Sequence, residues 1–205
     1  LNFFNQGITK IHYVRLFGDN SQSTQLANHF VERLQSVNSD LQLTNRDLIS
    51  EPIPHLDASI ISAFMSEPSE RTSEQTDIVN FSNALIEEIK QADTIVLGLP
   101  MYNFGVPSQL KAYFDQLARA GVTFKYTDTG PVGLLEDKPV YVLAARGGLH
   151  QGLASDSQTG FIKTMFQFLG LKNVNIIYAE GLNMGESTHS QAIEAAHKMI
   201  ESEIA

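Results

Sequence analysis

The chain contains no cysteine. Disulfides, thiolate-ligated zinc, iron–sulfur clusters and a thiol nucleophile are all excluded, and the composition suits a reducing compartment. Cations are also scarce. Fourteen Lys+Arg stand against 23 Asp+Glu, a formal net charge of −9. An acidic chain with dispersed basic residues is poorly suited to nucleic acid or anionic lipid, so neither partner is expected. No apolar run approaches the roughly 18 residues of a membrane-spanning helix. Residues 1–7 lack the basic region and apolar core of a signal peptide. A cytoplasmic location is expected, and residues 1–9 are read as a leader, disordered or left by processing, with no functional role. Phosphate-loop, GxGxxG, HExxH and GxSxG patterns are missing as well. His189 and His197 stand eight residues apart with no close ligand spacing around them, so no metal is expected.

What is present is ordinary globular material: 205 residues, 42% hydrophobic and 18% charged. That length suits one domain, residues 1–205, burying roughly 70% of its extended surface. Strand and helix signals alternate along it. Residues 11–17 form a β-rich run. Leu26, Phe30, Leu34 and Val37 then recur at helical spacing, with Ser21 or Ser23 as the cap. Residues 41–47 alternate like an edge strand. The proline-bearing stretch 48–71 conceals a short helix over 58–65, and Ile78, Phe81, Leu85 and Ile89 mark a longer one. Residues 94–99 are continuously apolar and end at Pro100, as a doubly covered parallel strand does. A helix follows from Val106 to Leu117, with Pro107 in its first turn. Strands over 140–145 and 174–178 are each followed by a helix, over 157–169 and 193–204. Five strand–helix units predict an α/β fold: a doubly wound, five-stranded parallel sheet in the order 2-1-3-4-5 with helices on both faces.

In such sheets ligands bind beyond the C-terminal strand ends. Three segments fall there. Gly18-Asp19-Asn20-Ser21-Gln22-Ser23 opens a helix, whose free N–H groups and hydroxyls favour phosphate; simple N-capping is the competing explanation. Pro100-Met101-Tyr102-Asn103-Phe104-Gly105 places aromatic side chains and an amide at a strand end, which suits one wall of a flat heteroaromatic ligand. Arg146-Gly147-Gly148-Leu149-His150 lets backbone approach a ligand closely. Residues 157–169 carry apolar side chains on more than one face. They cover a partner subunit or a substrate, or else belong to a more deeply buried helix.

These residues are also recognisable. Pro100-Met101-Tyr102-Asn103-Phe104, the run ARAGVTFKYT over 118–127, GPVGL over 130–134, RGGLH over 146–150 and SQS over 21–23 resemble the FMN-dependent NADH-azoreductase/quinone reductase family. The likeness covers nearly the whole chain. It implies a flavodoxin-like homodimer with one FMN per subunit at the dimer interface. The FMN phosphate would lie at Ser21, Gln22 and Ser23. Pro100, Met101, Tyr102, Asn103 and Phe104 would pack on the isoalloxazine, and Ala145, Arg146, Gly147 and Gly148 would face its pyrimidine side. Tyr126 and Phe168 would shape the substrate pocket. NADH or NADPH would reduce the flavin, and a quinone or azo compound would then take two electrons in the same slot. His150 is a candidate proton donor, with solvent able to serve instead. Two departures stand out. The first-strand loop is shorter than in the family and carries Asp19 without the usual serine, and Ala145 replaces a common Ser or Thr. The rival reading is a flavodoxin-type electron carrier without turnover of its own, docking through its acidic surface.

Overall fold

The computed structural model describes residues 10–204; the leader read over 1–9 lies outside them. In chain order the elements are β1 (Lys10–Arg15), α1 (Gln22–Val37), β2 (Gln42–Asp47), α2 (Ala58–Met65), α3 (Ser73–Gln91), β3 (Thr94–Pro100), α4 (Ser108–Leu117), β4 (Phe124–Thr127), β5 (Gly130–Gly133), β6 (Val140–Ala145), α5 (Ser157–Leu169), β7 (Val174–Ala179) and α6 (Glu186–Ile204). A five-stranded sheet runs β2-β1-β3-β6-β7, with every neighbouring pair parallel. With the hairpin strands β4 and β5 set aside, this is the predicted order 2-1-3-4-5.

The alternation of side chains along each strand divides the core in two. Val14, Leu97, Leu99 and Val142 face one side, where Leu85 and Ile89 of α3, Leu110 and Phe114 of α4 and Phe166 of α5 cover them. Tyr13, Val96, Tyr141 and Leu143 face the other, beneath Phe30 of α1 and Ile200 of α6. β3 is buried at every residue, as a central strand covered on both faces must be.

Several boundaries differ from expectation for local reasons. β1 stops at Arg15, whose carbonyl accepts from the Leu48 N–H at 2.9 Å; beyond it Phe17 turns its ring onto Tyr102. Pro107 precedes α4 as its N-cap. The short helix expected over 58–65 is α2, capped by Asp57, which accepts from the Ile60 N–H at 2.9 Å. α6 begins at Glu186, earlier than its apolar spacing indicates, because its first turns are polar and partly exposed. Residues 124–133 form the antiparallel β4–β5 hairpin, which sequence periodicity did not reveal.

Candidate functional site

The three strand exits meet. Phe17 at the β1 exit packs edge-on against Tyr102 at 5.0 Å between ring centroids. The Met101 N–H donates to the Ala145 carbonyl at 3.2 Å, and Phe104 stands edge-on to His150 at 5.7 Å. At the first exit, the Ser21 N–H closes a turn on the Gly18 carbonyl at 3.0 Å. Ser21 is the N-cap of α1, yet its side chain caps nothing. Instead its hydroxyl pairs with that of Ser23 at 3.0 Å. The N–H groups of Gln22, Ser23 and Thr24 are therefore left to the helix's positive end. No acidic residue lies in that first turn, and Asp19 is turned out to solvent on Arg15 at 2.6 Å. Ser23 is fully buried behind the partly exposed Ser21 and Gln22.

The second exit is a tight loop. Tyr102 and Gly105 exchange backbone hydrogen bonds of 3.1 and 2.9 Å. Closing it so tightly puts Asn103 at φ 47° and Phe104 at φ 67°. Left-handed backbone is costly for a residue with a Cβ, and a bulky side chain there is a genuine outlier. Tyr102 and Phe104 stand outward, 44% and 58% exposed. Burial of part of Tyr102 pushes its phenol above the ordinary value. Behind this loop lies Gln158, fully buried, whose amide donates to the Pro100 carbonyl at 2.9 Å and the Gly105 carbonyl at 3.2 Å. The Ser157 hydroxyl donates to the Phe104 carbonyl. An open groove of about 520 Å³ runs from Gly105 past Lys111 to Phe161.

The third exit is zipped to the end of β7. The Arg146 N–H donates to the Ala179 carbonyl at 2.9 Å. The carbonyls of Arg146, Gly147 and Gly148 accept from Leu182, Asn183 and Gly181 at 3.1, 3.0 and 3.0 Å. The N–H groups of Gly147 and Gly148 have no partner among the described residues, and both residues are partly exposed. The Arg146 side chain, 1% exposed, lies inside the protein rather than in the crevice. Of Arg146, Gly147 and Gly148, which the resemblance sets at the pyrimidine side, the two glycines have free N–H groups and Arg146 does not. His150 Nδ1 pairs with the Ser155 hydroxyl at 2.9 Å. A Cβ on Gly148 would lie 2.9 Å from His150 Nε2, so that nitrogen faces Gly148.

Tyr126 and Phe168 are not brought to this crevice within one chain. Both pack on Phe124, at 5.6 and 4.3 Å between ring centroids. Phe168 is eleven residues along α5 from Ser157, about 16 Å at 1.5 Å per residue. Among the described residues no group of three or more His, Asp or Glu is arranged to hold a metal, and no helix is long and apolar enough to cross a membrane. The supporting residues Gln158, Asp156 and Glu180 escaped the sequence reading.

Comparison with known proteins decides the family. A family model described as flavodoxin-like fold matches residues 13–204. The chain belongs to the flavodoxin-like fold family. Within it, an FMN-dependent NADH:quinone oxidoreductase from Cellvibrio japonicus is 55% identical over 93% of this chain and 94% of its own length. A second protein so named, from Alcanivorax borkumensis, is 52% identical over 88% of this chain and 91% of its own. Among solved structures, an azoreductase from Bacillus anthracis superposes with a TM-score of 0.88 at 26% identity, covering 96% of this chain and 99% of its own. An FMN-dependent NADH-azoreductase from the same species, in complex with FMN, gives 0.84 at 27% identity, covering 96% and 97%. The flavodoxin-like sheet order and the crevice at its C-terminal strand ends agree with this membership.

Proposed function

We propose that this protein is an FMN-dependent NADH:quinone oxidoreductase that also reduces azo compounds. The relatives named for that activity, alike over nearly their whole lengths, support the reading over a simple electron carrier. The observation that carries it to particular residues is the crevice itself. Outward aromatic rings on a strained loop stand beside two unpartnered backbone N–H groups and an uncapped helix N-terminus.

Those features fit FMN part by part. Ser21, Gln22 and Ser23, with the α1 dipole behind them, suit the phosphate. Tyr102 and Phe104 suit one face of the flat ring and Asn103 its polar edge, with Pro100 and Met101 setting the start of the loop and Gln158 bracing it from behind. Gly147 and Gly148, following Ala145 and Arg146, suit the pyrimidine edge through free N–H donors. Bound FMN supplies two-electron hydride chemistry, drawing on NADH and delivering to the quinone or azo acceptor. The chain's own part is positional. The Gly147 and Gly148 N–H groups stabilise negative charge at the pyrimidine edge without reorganising. His150, its Nε2 beside Gly148, is placed to hold a proton there. The aromatic wall keeps water off one face of the slot.

Tyr126 and Phe168 reach the pocket if a second copy supplies them. α5 leaves Phe161, Met165 and Phe168 only partly covered, and the groove beside Gly105 and Phe161 is open. A homodimer enclosing the acceptor between subunits accounts for both, and a cytoplasmic site gives access to NADH. Steady-state kinetics with NADH and a water-soluble quinone test the reading. One slot used in turn gives parallel double-reciprocal lines; intersecting lines, or no turnover with FMN bound, contradict it.

A further inference from the structure

Beneath the third exit lies a charge cluster that the reaction described above does not use. Arg146 is 1% exposed, and each nitrogen of its guanidinium is engaged. Nη1 donates to Glu180 at 3.0 Å. Nη2 donates to Asp156 and to the Thr159 hydroxyl, both at 3.0 Å. Nε donates to Gln158 at 3.3 Å, and the guanidinium carbon lies 4.9 Å from the centre of the Tyr178 ring. The side chains of Asp156 and Glu180 are 6% and 12% exposed. Burial acts to raise the Asp156 carboxyl, but the Thr159 N–H and hydroxyl and the Arg146 guanidinium outweigh it and hold it below the ordinary carboxylate range. One cation against two carboxylates leaves one net negative charge under the loop.

Glu180 does more than neutralise Arg146. Its Oε1 also accepts from the His150 N–H at 3.0 Å and the Gln151 N–H at 2.9 Å. Those bonds pull the far end of the loop inward, while the backbone bonds to residues 181–183 fix its near end. Gly147, Gly148 and Leu149 lie between the two anchors, and their N–H groups have no partner among the described residues. The same carboxylate thus aims the donors and supplies the surplus charge behind them.

We propose that Glu180 is a positioning residue that sets the reduction potential of the bound cofactor, a claim that rests on the FMN reading. Two-electron reduction adds negative charge at the pyrimidine edge. The aimed N–H groups favour it, and the surplus carboxylate opposes it through a dry interior where charges are weakly screened. The cluster therefore keeps the reduced cofactor reactive enough to pass its electrons on.

Redox titration of the FMN-loaded protein, with the FMN affinities of the oxidised and reduced forms, tests this. Glu180→Gln removes the surplus charge. It is expected to tighten binding of reduced FMN relative to oxidised FMN about tenfold, equal to about 30 mV of two-electron potential. Glu180→Asp keeps the charge but withdraws it from the loop. With the donors no longer aimed, it is expected to weaken reduced FMN more than oxidised FMN and so to lower the potential. Asp156→Asn keeps a good helix cap and every bond to Glu180, so it serves where the Glu180 variants fold poorly, and it should raise the potential like Glu180→Gln. A potential unmoved in both neutral variants overturns the proposal. A merely structural Glu180 would change both affinities together. Amide exchange of the flavin-free protein is independent of the FMN reading: His150 and Gln151 should be protected in the parent and lose protection in Glu180→Ala. Unchanged protection overturns the positioning role even if the parent binds no FMN.

Discussion

Asn103 and Phe104 form a strained pair in the loop proposed to hold the flavin. Two consecutive left-handed residues cost on the order of 1–3 kcal/mol each, and the loop keeps them because Gln158 and Ser157 brace it from behind. Asn103→Ala should weaken FMN binding about tenfold through one lost hydrogen bond, read by flavin fluorescence titration; unchanged affinity would remove Asn103 from the site. The place of these aromatic residues at the end of a central strand was legible in the sequence, because the apolar run over 94–99 ends at Pro100. The strain of the loop was not, because backbone dihedrals follow from the turn closed between Tyr102 and Gly105. His12 makes a different case. It is fully buried on β1, with Nε2 3.0 Å from the Tyr113 hydroxyl. Burial, with Arg46 and Lys138 adding to it, lowers it to about 4. Glu88 stands 3.9 Å away but is already paired to Arg46. The folded form therefore binds its proton less readily than the unfolded chain, and stability is lost as pH falls from about 6.5 toward 4. The slope is about 1.4 kcal/mol per pH unit, or about 3 kcal/mol in all. Denaturant titrations across that range should show the loss, and the double variant His12→Leu/Tyr113→Phe should lack this part of it. An equally steep acid limb in the double variant would refute the assignment.

At the scale of elements, the parallel strands were readable because each is an apolar or alternating run set between stretches of helical period. The β4–β5 hairpin was not. Its residues alternate weakly, and its place is set by tertiary contact with the end of α5. Leu135 donates to the Leu169 carbonyl at 3.0 Å, and a Cβ on Gly133 would lie 2.1 Å from the Gly170 nitrogen. Gly133→Ala must therefore push hairpin and helix apart. A cost of about 2 kcal/mol is expected, a fall of about 4–8 °C in thermal midpoint for a chain of this size; a midpoint within 1 °C of the parent, roughly a few tenths of a kcal/mol, would show that the contact yields freely. The same hairpin and helix carry Tyr126 and Phe168. Phe168→Ala should change the ratio of kcat/KM between quinone and azo acceptors several-fold while leaving FMN affinity within about twofold, since the ring lies about 16 Å along α5 from the loop proposed to hold the flavin in its own chain. An unchanged acceptor profile would take Phe168 out of the pocket.

For the whole molecule, the sheet order follows from how strands and helices alternate, and the crevice follows from the sheet order. Which side chains enter that crevice is set by interactions across long separations in sequence. Arg146 illustrates this: the family resemblance implied a residue facing the ligand, yet Asp156, Glu180 and Gln158 draw its side chain inward. At the first-strand loop, Arg15 holds Asp19 aside, so its charge does not stand over the helix N-terminus proposed for the phosphate. The central claim is that these strand exits together hold FMN for reduction by NADH. Its most direct test is the visible absorption spectrum of the purified protein after loading with FMN and desalting, followed by anaerobic addition of NADH and then a quinone. The account predicts a retained flavin spectrum that NADH bleaches and the quinone restores. Loss of all flavin on desalting, or a retained flavin that NADH leaves coloured, would contradict it.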